Sequence, residues 1–105
     1  MTFSILGLDP ASGEMGIGVQ SKFPGVGTIV AHARAAAGVV ATQAFADPAH
    51  GARGLELMTL GASAPEALAI LLRGDGARDR RQIALLDPAG AHAAHTGAAV
   101  LGWDG

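Results

Sequence analysis

Two helix starts stand back to back in the middle of this sequence, with strand patterns on either side, and that order limits what the chain can become. Asp47-Pro48 reads as a helix N-terminus, with Asp47 as N-cap and Pro48 at the first helical position, where a missing N–H costs nothing. Leu55, Met58 and Leu60 are expected to face inward and Gly61 to end the helix, while Gly51 and Gly54 weaken its first half. Ser63-Ala64-Pro65-Glu66 fits a capping box, followed by Leu68, Leu71 and Leu72 at helical spacing. Arg73 then favours the C-terminal dipole and Gly74 closes the second helix.

Residues 2–8 mix β-branched, aromatic and apolar side chains, and Asp9-Pro10-Ala11-Ser12-Gly13-Glu14 supplies turn chemistry. Residues 15–20 run apolar with Gly16 and Gly18 alternating, so a hairpin is predicted. Its glycines leave one face nearly bare, a setting for close packing. After a break at 23–27, residues 28–33 and 38–43 read as third and fourth strands; Ala35, Ala36 and Ala37 fit either a turn or a strand. Residues 82–86 and 91–96 form a second hairpin around Asp87-Pro88-Ala89-Gly90. Four strands, two helices and two strands predict an α+β fold, a mostly antiparallel sheet with helices layered on it, rather than a doubly wound parallel sheet.

Composition narrows the partners. Half of the 105 residues are hydrophobic, but much of that is alanine and only 4% are aromatic, so a core built from this chain alone would be thin. A second layer is therefore expected from another copy (a homo-oligomer) or from a further half of the protein. Net charge is −2, and the one basic cluster, Arg78, Arg80 and Arg81, is interrupted by Asp79. That argues against nucleic acid, which selects a basic stripe. No apolar run approaches the ~18 residues of a membrane span, and the absence of cysteine suits a reducing cytoplasm.

Most chemical motifs are missing. There is no phosphate-binding loop, Gly16-x-Gly18 lacks the rest of a dinucleotide fingerprint, and no cofactor is expected. His92 and His95 would point to opposite faces of a strand, so no metal site is expected there. What remains is the N-terminus. Removal of Met1 would place the Thr2 hydroxyl beside its own α-amine, whose ordinary pKa of ~7.7–8.0 leaves a neutral fraction able to act as base. If the first hairpin closes around the 9–14 loop, Thr2 lies across from Gln20, Ser21 and Lys22. Lys22 could then favour the neutral amine and stabilise developing negative charge, and Ser21 could relay a hydrogen bond. The plainer reading is the start of an edge strand followed by a solvated lysine. Thr42, Gln43 and Asp47 fall near the end of the fourth strand. Thr42 and Gln43 suit either sheet-end hydrogen bonding or substrate contact, and Asp47 either a helix cap or an amine-binding carboxylate.

Several blocks resemble the DUF1028 family, in order and nearly end to end. They are Thr2-Phe3-Ser4-Ile5, Asp9-Pro10-x-x-Gly13-Glu14, the run from Gly16 to Gly27, Ala41-Thr42-Gln43-Ala44, Arg53-Gly54-Leu55 and Ala94-His95-Thr96-Gly97. The resemblance implies an Ntn-hydrolase-like αββα sandwich, two antiparallel sheets between helices, of which residues 1–105 supply roughly the N-terminal half. It also implies amide hydrolysis on a small or peptide-like substrate with Thr2 as nucleophile. Family members are longer, and residues 101–105 end without a capping element, which fits an incomplete domain. In the alternative reading the chain is a non-catalytic binding or assembly module, or one piece of a precursor cut before its nucleophile.

Overall fold

Turn chemistry and helix caps set the boundaries. The computed structural model describes residues 2–21, 31–34, 36–44 and 47–100. Strands β1 (Thr2–Leu8) and β2 (Met15–Ser21) pair antiparallel, with Thr2 opposite Ser21 and Leu8 opposite Met15. The Asp9 carbonyl and carboxylate close the intervening loop, accepting from the N–H groups of Gly13 (2.7 Å) and Ala11 (3.0 Å). Strands β3 (Ala31–Arg34) and β4 (Gly38–Ala44) follow; residues 28–30 of the expected third strand lie outside the described residues. Ala36 and Ala37 form a turn, while Ala35 lies outside the described residues; Ala36 is left-handed, with φ 61°.

Helix α1 (Pro48–Thr59) is capped by Asp47, whose carboxylate accepts from the Ala49 N–H at 3.0 Å. Helix α2 (Ala64–Arg73) carries the full capping box between Ser63 and Glu66 and stops at Gly74. A short 3-10 turn (Arg78–Arg80) leads into β5 (Arg81–Leu86), which pairs with β6 (His92–Thr96). Leu55 and Met58 are buried as expected, but Leu60 is 79% exposed, because the helix ends at Thr59 and Leu60 is its C-cap.

The strands form two antiparallel sheets, a β1–β2 pair and a four-stranded sheet in the order β3-β4-β5-β6. Both helices pack on one face of the larger sheet and the hairpin packs on the other. Val40, Ile83 and Leu85 meet Leu55, Met58, Leu68 and Leu71 in the core between helices and sheet. The glycines that weaken α1 in isolation let it sit close: a Cβ on Gly54 would lie 3.1 Å from Val40 and 3.3 Å from Leu85. Asp87 locks the second hairpin to α2. One of its oxygens accepts from Ala89 and Ala91 N–H groups, and the other from the Ala64 N–H at the helix N-terminus. On the outward face of the β1–β2 hairpin, Gly7, Gly16 and Gly18 surround Ile5, which is 70% exposed. Among the described residues nothing covers that face, and no helix is long and apolar enough to cross a membrane.

Gly38 tests the close fit of β4. Its φ is +142°, and an added Cβ would approach the Leu86 carbonyl oxygen to 2.5 Å. Gly38→Ala is expected to lower unfolding stability by about 1–3 kcal/mol, read as a fall in denaturant midpoint at unchanged m-value.

Candidate functional site

The face of the four-stranded sheet that meets the hairpin follows from pairing register. Ala41, Ala84 and Ala94 stand side by side across β4, β5 and β6, and Gln43, Gln82 and Thr96 form the next row toward the strand ends. The alanines are too small to fill the gap between sheets. A cleft of about 210 Å³ results, lined by both rows together with Ser4 of β1 and Ile83. The second row is linked by hydrogen bonds of one direction: Gln43 Nε2 donates to Gln82 Oε1, and Gln82 Nε2 donates to Thr96 Oγ1 at 3.2 Å. Strand β4 ends just beyond Gln43 at Ala44, held left-handed at φ 67°, a conformation that costs an L-residue roughly 1–2 kcal/mol.

Thr2 begins the strand that brings Ser4 to this cleft. Two residues of strand put it about 7 Å farther along β1, and its backbone pairs with Ser21. The side chains of Thr2 and Ser21 are not among those described, and Lys22 lies outside the described residues.

The structure separates the three residues expected at the end of the fourth strand. Gln43 lines the cleft. Thr42, one position away, faces the opposite side of the sheet beside Ile83, is 0% exposed, and its hydroxyl has no hydrogen-bond partner among the described residues. Asp47 uses its carboxylate as the α1 cap. His92 and His95 lie on opposite faces of β6; the His95 Nε2–H donates to the Arg78 carbonyl at 2.9 Å and ties the edge strand to the 3-10 turn.

One polar cluster carried no sequence signature, since its members lie far apart along the chain. Asp75, just past α2, accepts from Arg81 Nε and Nη2 and from His50 Nε2 at 2.9 Å, all three residues being buried. The Arg81 guanidinium holds the Asp75 carboxyl well below its ordinary value of 3.8, against burial, which pushes it up; His50 and the Ala77 N–H add to the lowering. His50 also lines a groove of about 270 Å³ between α1 and α2, with Arg53, Leu57, Leu60, Ile70 and Leu71. The cluster joins the start of α1, the end of α2 and the start of β5.

The model of a family of unknown function, DUF1028, matches residues 2–105. The chain belongs to the DUF1028 family. The crystal structure of a DUF1028 protein from Silicibacter pomeroyi is similar to it, with a TM-score of 0.90 and 32% sequence identity over 94% of this chain and 46% of the other. This DUF1028 chain therefore spans about half the length of that relative. No curated protein matches it.

Two outcomes are expected from this DUF1028 chain. Asp75→Asn leaves Arg81 buried without its anion and is expected to cost on the order of 3 kcal/mol near neutral pH. Because the folded-state pKa of Asp75 is depressed, its contribution is present above 3.8 and is lost as pH falls below it. Acid titration of stability should therefore be flatter in the variant. Thr42→Val removes a buried hydroxyl that has no partner among the described residues, and is expected to raise stability by about 1 kcal/mol in chemical denaturation.

Proposed function

We propose that this chain is the first half of an Ntn-hydrolase-like αββα sandwich and that it hydrolyses a small amide with Thr2 as nucleophile. The observation that carries the reading is the placement of β1: the strand that begins at Thr2 lines, two residues on, a polar cleft between two antiparallel sheets. Helices, four-stranded sheet and hairpin supply three of the four layers. The bare outer face around Ile5 is where the fourth would pack.

With Met1 removed, the Thr2 hydroxyl attacks the amide carbonyl and its proton passes to the α-amine, directly or through water. Collapse of the tetrahedral intermediate expels the amine, which takes that proton, and leaves an ester on Thr2. Water then cleaves the ester and returns the free hydroxyl. Lys22 keeps the α-amine neutral and balances the developing oxyanion, Ser21 relays a hydrogen bond, and Gln43 contacts the substrate from the cleft wall.

A second reading is favoured by the same exposed face. An apolar surface of glycines around Ile5 suits association with further polypeptide. In that case the protein is a binding or assembly module, and light scattering should find it as a homo-oligomer.

The expected outcome for the first reading is a mature protein lacking Met1 by mass spectrometry, acylated at Thr2 by an activated ester. Thr2→Ala should lose that label and lower amide turnover on the order of 10³-fold or more. A retained Met1 would remove the mechanism.

A further inference from the structure

The inter-sheet cleft also restricts what it can hold, a restriction that rests on reading it as the substrate site. Among the described residues that line it, none carries a charge: the polar ones are Ser4, Gln43, Gln82 and Thr96, and the rest are alanines and Ile83. A carboxylate or ammonium seated between those rows would give up hydration with no opposite charge among the described lining residues to compensate. The polar row offers amides and hydroxyls, groups that both donate and accept. Its hydrogen bonds run from Gln43 through Gln82 to Thr96. Thr96 accepts at the end of that run, and its hydroxyl also carries a proton that can be donated. Ser4 adds a second hydroxyl from the facing hairpin. The cleft volume is about 210 Å³.

From this lining we infer that the cleft binds the uncharged end of a small substrate, a group of carboxamide type that accepts from hydroxyls and donates to side-chain amide oxygens, and that it selects against acids and amines of the same shape. The row of three alanines admits a short apolar chain beside that group, and nothing larger.

Three near-isosteric probes separate the possibilities: butyramide, butyrate and butylammonium. The sequence contains three glutamines, Gln20, Gln43 and Gln82, and no asparagine, so the side-chain amide region of a nitrogen–proton NMR spectrum is simple to assign. Butyramide is expected to shift the Gln43 and Gln82 amide pairs, and both charged probes to bind at least about tenfold more weakly. Ala84→Val fills the cleft while leaving the amide row in place, and Gln82→Leu breaks the row; each should weaken butyramide by at least about tenfold. The titration reads binding in the unaltered protein, whereas acylation of Thr2 reads the nucleophile, so a failed nucleophile and a failed binding site give different results. Equal or tighter binding of either charged probe, or no shift at Gln43 and Gln82, would overturn the inference.

Discussion

Strand β4 is covered on both faces, and the rest of the structure depends on that burial. Its Val40 and Thr42 look into the helix layer, and its Ala41 and Gln43 look toward the hairpin. A strand buried on both sides has no solvent-facing row, which is why Gly38-Val39-Val40-Ala41 shows no alternation of polar and apolar residues. Pairing with β5 extends the same division across the sheet. Ile83 and Leu85 join the helix side, while Gln82 and Ala84 join the other. Because the two faces are interleaved residue by residue, a slip of one position would bring Gln43 into the apolar core and expose Val40 to the cleft.

The alanine content takes on a different meaning in this frame. Read as composition, it suggests a weak core, since alanine buries little area. In the folded chain, Ala64 and Ala67 let α2 approach the sheet, whereas Ala41, Ala84 and Ala94 stand in register and leave a gap between the two sheets unfilled. The same residue type closes one interface and opens another. The difference lies in whether a large partner stands opposite. Leucines and Met58 fill the helix side, and a two-stranded hairpin too narrow to cover all four strands lies on the other.

Local signals were legible in the sequence where local chemistry decides. The Asp47 and Ser63 caps, the Gly74 stop and both hairpin turns lie where their residues put them, because each is closed by hydrogen bonds within a few positions. Leu60 departs from expectation for a similar reason: one residue beyond the last helical position, its side chain no longer follows the helical stripe. What the sequence hid is what depends on long-range register. Thr42 and Gln43 are neighbours in the chain yet belong to different layers, and only the pairing of Thr42 with Ile83 shows which is which. His50, Asp75 and Arg81 share no motif, because helix packing rather than spacing brings them together. Membership of the DUF1028 family was legible because its blocks run nearly the length of the chain.

The two oxygens of Asp87 serve two elements at once, the tight turn between β5 and β6 and the first N–H of α2. A carboxylate shared in this way makes two openings into one. Fraying of the helix start leaves the anion without part of its shell, and unravelling of the turn removes the helix's electrostatic partner. Amide protons at Ala64, Ala89 and Ala91 should therefore exchange with solvent as a single cooperative unit, even though they belong to different secondary structures.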